Sequence, residues 1–582
     1  MRQQYARRSQ ALTYVMAFIA VAVVVQMLRI QNSEEAAIFR KRASNYAYEL
    51  RTFYPDRGEI YDRNGHLLAG NKTVYEIGVD LRAVKDANAI ANALNMELGT
   101  DYMTAINAIA YPSEDISYVV LADFVDAESA LHLQELKQTL QQQAPEGVSG
   151  GLTGLDFKAH PQRSYPEGAL ASNILGFVTR EGRGYFGVEE KYDTLLAGNS
   201  VKVLLPTDPN KAFEIPRVPD GTNLILTISR DLQSAAEQIL DEAIFNYGAQ
   251  GGVIVVMDPR NGELLAMSAT PRMDLNRFWE YGAIYSNASE FNPAISMPYE
   301  PGSVLKILTM AAALNSGSVT PDTTYLDTGS ILVGGVMIQN WDQEPWGLQD
   351  MTGCLQHSLN VCMATLSTQM GAGTFYSYMD NFGLGHLTGV DLAGEAAGRL
   401  KIPGDADWYP VDLGTNAFGQ GVAVTPIQIL MAASSIANHG RTVVPHALSA
   451  MVRDGRQYNV PAQFAGSPIS DQTAATLTAM LSHSLESESS LALVPGYRVA
   501  GKTGTAQIPV NGYYDPSQTN ASFIGWGPVD DPQFMIYVWL ERPSASIWGS
   551  ETAAPVFAEM AEQTTILLDI PPDNIRQQLA AR

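Results

Sequence analysis

PYEPGSVLKILTMAAAL, residues 298–314, places Pro301-Gly302 before Ser303, followed by a run of helix formers that stops at Asn315-Ser316-Gly317. The pattern predicts a helix opening at Ser303, with Lys306 one turn further on so that its ammonium lies over the serine hydroxyl. Taken alone, a serine followed three residues later by a lysine is explained as well by a helix cap and a solvated lysine. Two features argue for chemistry. Lys306 stands in an otherwise apolar run, where burial penalises its charge, and a helix start offers free N–H groups to a developing oxyanion.

Two later stretches carry the same ambiguity. Ser358-Leu359-Asn360, in GCLQHSLNVCMATLSTQMG, precedes a run (VCMATL) that reads as a buried helix, so by itself it is another helix start. Lys502-Thr503-Gly504-Thr505, in YRVAGKTGTAQ, follows an alternation of Tyr497, Val499 and Gly501 and is predicted on a strand. Gly504 leaves no side chain in the way of an incoming backbone. A peptide could pair with that edge, the lysine and both threonine hydroxyls facing the reacting group. An ordinary edge strand protected by a lysine is the plain alternative.

Around these motifs, Leu224–Ile228 reads as a strand and Asp231–Ile244 as an amphipathic helix. VIVVMD, the turn Pro259–Gly262 and ELLAMSA form an apolar hairpin, as at the edge of a buried antiparallel sheet. An α+β module of some 330 residues is expected to follow a boundary near Pro216–Asp220. Upstream, EIYDRNGHLLA predicts a hairpin with Asn64-Gly65 in a two-residue type I′ turn, and Glu34–Leu50 has helical composition. Ala11–Leu28 is apolar except for Gln26 and is close to the length that crosses a bilayer. No small-residue cleavage site follows it, so an uncleaved anchor is expected rather than a signal peptide. Arg29, Arg40, Lys41 and Arg42 offset Arg2, Arg7 and Arg8, so charge alone leaves its orientation open.

With 582 residues, 46% hydrophobic and 17% charged, the chain is long enough for several packed modules, and its net charge of −24 disfavours nucleic acid as a partner. Cys354 and Cys362 are its two cysteines. Eight residues along one helix would hold them about 12 Å apart, too far to bridge. They read as small buried hydrophobes, and neither a metal nor any other cofactor is expected.

Serine-x-x-lysine, serine-x-asparagine and lysine-threonine-glycine, in this order and at these gaps, resemble the active-serine penicillin-recognising enzymes. EPGSVLK, AFGQGVAVTPIQ (Ala417–Gln428), GKTGTAQ and AAPVF (Ala553–Phe557) look like the transpeptidase domain of class B penicillin-binding proteins. RGEIYDRNGHLLAGN, RSYPEGALASNILGFV and GVEEKYDTLLAG look like that class's non-catalytic pedestal. One departure is Asn292-Pro293-Ala294, where asparagine-arginine-alanine is expected.

The resemblance implies a multidomain chain: a cytoplasmic tail (1–10), a transmembrane anchor (11–30), an extended mixed α/β pedestal of the dimerisation type (31–220), and a transpeptidase domain (221–582) with an antiparallel sheet flanked by helices. It places the domains outside the cell membrane. It implies that Lys306, neutral, activates Ser303 for attack on the penultimate D-alanyl carbonyl of a stem peptide, and that a second strand's amine takes the acyl group. Ser358 relays a proton, Asn360 orients the substrate amide, and Lys502, Thr503 and Thr505 hold the terminal carboxylate beside Gly504. The backbone N–H groups of Ser303 and Thr505 form the oxyanion hole. β-Lactams acylate the same serine, and a polytopic lipid-II polymerase is the implied partner. The wording of EPGSVLK and FGQGVAVTP, and the lack of a further module after Arg582, lean to the division-type branch over the elongation type.

The rival readings are a β-lactamase, disfavoured by the anchor and pedestal, a D,D-carboxypeptidase, and a non-catalytic scaffold or β-lactam sensor. Asp156, His160, Arg163, Glu167 and Glu189 are expected in pedestal salt bridges and turns rather than a second site.

Overall fold

In the computed structural model, residues 2–39, 48–112, 116–145, 150–206, 218–510 and 513–580 are described. The chain divides into two units, Met1–Asp56 with Gly198–Gly221, and Arg57–Ala197 with Thr222–Arg582. In the first, a helix spans Arg2–Gln31, and its stretch Gln10–Gln31 is long and apolar enough to cross a membrane. Helical structure covers 34–39 of the expected Glu34–Leu50 segment; 40–47, with Arg40, Lys41 and Arg42, lie outside the described residues. Tyr48–Phe53 is instead a strand, paired antiparallel with Val201–Pro206. Long-range pairing there overrides the local helical composition.

Two large sheets lie in the second unit, beside smaller two-stranded ones. One has seven strands and runs from Arg456–Asn459 through Leu448–Arg453, Asn223–Leu226, Ile60–Tyr61 and Leu67–Asp80 to Tyr118–Asp126, with Leu155–Ser164 also on Leu67–Asp80. Ile60–Tyr61 pairs parallel with Asn223–Leu226, so one ladder carries segments from both sides of the expected Pro216–Asp220 boundary, of which 216 and 217 lie outside the described residues. The hairpin at Asn64-Gly65 is present, but only Gly65 has a positive φ (87°). Gly65 N–H donates to Asp62 O, a type I turn closed by a left-handed glycine rather than the two-residue type I′ form. The buried Asp62 carboxylate accepts from the backbone N–H groups of Asn64, His66 and Arg230, which fixes the loop.

The other sheet is antiparallel, in the order Leu264–Ala269, Gly251–Met257, Phe534–Glu541, Tyr513–Gly527, Ala500–Val510. The apolar hairpin forms one edge, and the strand carrying Lys502-Thr503-Gly504 forms the other. Alternate residues of Gly251–Met257 serve opposite cores. Val253, Val255 and Met257 join a core with Ile307, Met363 and Leu430, while Ile254 and Val256 join one with Leu240, Phe557 and Met560. A strand covered on both faces has to be apolar at every position, hence VIVVM.

Arg57 and Arg163 meet the fully buried Glu189 at 2.7 and 2.6 Å. His160 pairs with Asp123 at 2.8 Å, Glu167 with Arg230 at 2.8 Å, and Asp156 accepts from Phe157 N–H. Pro293 opens the short helix Pro293–Ser296, where a missing N–H costs nothing, and buried Asn292 donates to Asn173 O at 3.0 Å.

Candidate active site

Ser303 lies on a 3-10 turn, Gly302–Leu305, and the α-helix proper begins at Lys306. The expected helix start is thus a tighter turn, entered through Gly302 at φ 58°. That turn is wedged between two backbones. A Cβ on Gly302 would stand 3.0 Å from Ala506 Cβ and 3.1 Å from Thr505 O, and one on Gly419 would stand 2.1 Å from Gly302 O. The motif strand and the AFGQG segment thereby seat Ser303 from either side.

Lys306 is fully buried, and its Nζ donates to Ser358 O at 2.5 Å, Ser358 Oγ at 3.1 Å and Asn360 Oδ1 at 2.8 Å. Three acceptors match the three N–H bonds of an ammonium. Burial, and then the charge of Lys502, push its pKa well below the ordinary lysine value. A neutral amine keeps two of those bonds and gains a lone pair, toward which the Ser358 hydroxyl can turn its own proton.

Ser358 adopts φ 52°, in a turn between the helices Met351–Gln356 and Asn360–Asn381. Cys354 and Cys362 lie on those two helices with their Cα atoms 6.1 Å apart and are joined by a disulfide. This overturns the reading of two separate buried thiols. The distance argument presumed one continuous helix, and the turn folds its two ends together. The disulfide therefore brackets Ser358 and Asn360, and Asn360 Nδ2 donates onward to Gln339 O at 3.2 Å.

Lys502 is buried on the edge strand and donates to Thr503 O and Oγ1 at 3.3 and 3.1 Å. Burial lowers its pKa to about 8, with Glu488 acting in the opposite sense. Thr505 Oγ1 accepts from Gly549 N–H at 3.1 Å. Ser303, Ser358, Asn360, Lys502, Thr503 and Thr505 all line one cavity of about 960 Å³. Gly504 is not among its lining residues. A Cβ there would meet Ser522 Oγ at 2.3 Å, Val304 Cγ1 at 3.0 Å and Pro301 O at 3.1 Å, so its bareness serves close packing against the Ser303 turn rather than an incoming peptide.

Several other lining groups stand in no motif. Trp341 and Trp548 meet edge to face at 5.3 Å, and Trp346 stacks on His357 at 4.2 Å. Trp341 Nε1–H donates to His357 O at 3.2 Å, which braces the turn just before Ser358. A tryptophan-rich stretch upstream of a serine motif is a faint signal, legible only once His357 is known to face it.

Residues 252–562 match the penicillin binding protein transpeptidase domain, and residues 52–212 the penicillin-binding protein dimerisation domain. The chain is 33% identical to stage V sporulation protein D of Bacillus subtilis, over 89% of this chain and 79% of that one. To penicillin-binding protein PbpB of Mycolicibacterium smegmatis it is 29% identical, over 94% and 88%. Among solved structures it is similar to penicillin-binding protein 3 of Mycobacterium tuberculosis complexed with aztreonam, with a TM-score of 0.68 and 26% identity over 90% of this chain and 98% of that one. The chain belongs to the class B penicillin-binding proteins, in the division-type branch, and is a peptidoglycan D,D-transpeptidase.

Proposed function

We propose that the chain cross-links stem peptides through an acyl-enzyme on Ser303, with Lys306 as the base. The observation that carries this reading is the bonding of Lys306, a buried lysine depressed in pKa, to Ser358 and Asn360 in the cavity that also holds Ser303, Lys502 and Thr505. Ser303 Oγ attacks the penultimate D-alanyl carbonyl while its proton passes to Lys306 Nζ. Collapse of the tetrahedral species breaks the C–N bond. The proton reaches the leaving nitrogen through Ser358 Oγ, and the terminal D-alanine departs. An acceptor amine then attacks the ester carbon, and Ser303 Oγ leaves, recovering a proton by the same relay. Asn360 orients the substrate amide, Lys502, Thr503 and Thr505 hold the terminal carboxylate, and the N–H groups of Ser303 and Thr505 receive the oxyanion, at about 3 kcal/mol per donor. Gly504 belongs to this site as the residue that lets the strand reach the Ser303 turn.

Residues 11–30 anchor the chain, with 1–10 cytoplasmic, 31–220 as pedestal and 221–582 as the catalytic domain outside the membrane. The apolar N-terminal helix supports this, as does the disulfide, which suits an oxidising compartment. A polytopic lipid-II polymerase is the partner we assign, contacted through anchor and pedestal. Labelling of the full chain by a fluorescent penicillin, compared with Ser303→Ala, tests the nucleophile, and labelling that survives the substitution overturns it. Donor and acceptor peptides offered with labelled D-amino acids then separate transfer to an amine from hydrolysis by water.

A further inference from the structure

Glu488, just past the helix Asp471–Ser487, belongs to neither a sequence motif nor the proton relay, yet it stands at the rim of the catalytic cavity. Its Oε1 lies 3.7 Å from Nδ1 of His357, the residue preceding Ser358. The helix it terminates packs against the strand that carries Lys502. Glu488 is half-exposed whereas Lys502 is buried, and both line the same cavity.

We propose that Glu488 is a positioning residue for transpeptidation: it supplies the counter-charge that keeps Lys502 cationic for the substrate carboxylate, and through His357 it braces the turn carrying Ser358. The proposal rests on the assignment of Lys502 as the carboxylate-binding group.

The other charged and titratable groups around Lys502 have different engagements. Lys306, on the catalytic helix, opposes its charge. From the strand Tyr513–Gly527, Tyr514 donates to Glu300, whose carboxylate also accepts from Gly421 N–H. Glu551 accepts from Ser546 Oγ at 2.6 Å. His357 is shared between Glu488 and the stack on Trp346. Glu488 is the acidic group whose charge opposes the depression of the Lys502 pKa. The reciprocal effect is present too: burial raises the Glu488 carboxyl, while Lys502 and His357 pull it back down. Without the carboxylate, Lys502 loses its proton at lower pH and ceases to attract the substrate carboxylate there.

The test is the rate of acylation by a carboxylate-bearing fluorescent penicillin, followed from about pH 6 to 10, on the full chain in detergent. The variants are Glu488→Gln, Glu488→Asp and Lys502→Ala. Glu486→Gln is the control, since Glu486, on the same helix, pairs instead with exposed Arg498 beyond it. Glu488→Gln is expected to move the alkaline fall in rate to lower pH by about one unit. Glu488→Asp should restore much of that shift, and Glu486→Gln should leave the fall in place. An unmoved alkaline fall in Glu488→Gln, with Lys502→Ala abolishing that fall, overturns the proposal alone. A fall that persists unchanged in Lys502→Ala overturns the assignment of Lys502 and the proposal with it. Should Glu488→Gln fail to fold, Glu488→Ser decides in its place, because it too removes the carboxylate and must move the fall to lower pH, and an unmoved profile overturns the role.

Discussion

Lys306 Nζ donates to Asn360 Oδ1 across 2.8 Å, joining groups 54 residues apart in sequence. The amide oxygen is neutral, so it steadies the amine without strongly favouring its charged form. Asn360→Asp puts a carboxylate in its place, raises the Lys306 pKa and keeps the base protonated at neutral pH. Acylation by a fluorescent penicillin is expected to fall about a hundredfold or more near neutrality and to recover as pH rises. Asn360→Ala removes the acceptor without adding charge, so its loss should not recover in alkali. Rate–pH profiles of the two variants distinguish them.

The two lysines are expected to set opposite limbs of that profile. In the proposed mechanism Lys306 acts as a base when neutral, so the rate is expected to rise as it deprotonates. In the same proposal Lys502 binds a carboxylate when charged, so the rate is expected to fall as pH climbs through about 8. A penicillin with a free carboxylate should show both limbs, and its methyl ester only the rise. Stopped-flow acylation with the two compounds checks this, and an alkaline fall of equal size with the ester would point to a different titrating group.

The disulfide between Cys354 and Cys362 closes a short loop around the Ser358 turn. Replacing both cysteines with serine should cost roughly 2–3 kcal/mol of stability, read by chemical denaturation. Ser358, at φ 52°, relies on that closure, so acylation of the folded variant should slow as well. Reductant should slow the native chain and leave the double variant unchanged.

This loop also marks how far the sequence could be read. Ser303, Lys306, Ser358, Asn360 and Lys502 were legible because each stands in a short motif whose order is informative, and the buried sheet because VIVVM and ELLAMSA are apolar at every position. The break at His357–Leu359 was not legible. Nothing in HSLN forces a left-handed serine, and that conformation is held by contacts from Trp341 and the disulfide, both tertiary. The strand Tyr48–Phe53 is hidden for the same reason, since its partner lies at Val201–Pro206. Glu488 carries no local signal at all.

Glu189 is buried between Arg57 and Arg163. Removing Glu189 leaves Arg163 buried without a counter-charge and Arg57 with Asp193 alone, so Glu189→Ala should destabilise by about 3–5 kcal/mol. Thermal unfolding should show the loss. The folded fraction should acylate at the native rate, since none of the three lines the catalytic cavity.

Gly504 offers the sharpest steric test. An alanine there brings its Cβ to 2.3 Å from Ser522 Oγ, 3.0 Å from Val304 Cγ1 and 3.1 Å from Pro301 O. The serine hydroxyl is the movable end of a side chain, whereas Pro301 O is backbone next to the Ser303 turn. Gly504→Ala should therefore push the strand off that turn, displace Thr505 N–H from its proposed place as oxyanion donor and lower acylation by about a hundredfold or more. Adding Ser522→Ala removes the closest clash but leaves the pressure on Pro301 and Val304, so the double variant should recover only part of the rate. Full recovery would locate the constraint at Ser522 alone. No loss in the single variant would mean that the strand and the turn are not coupled through this glycine.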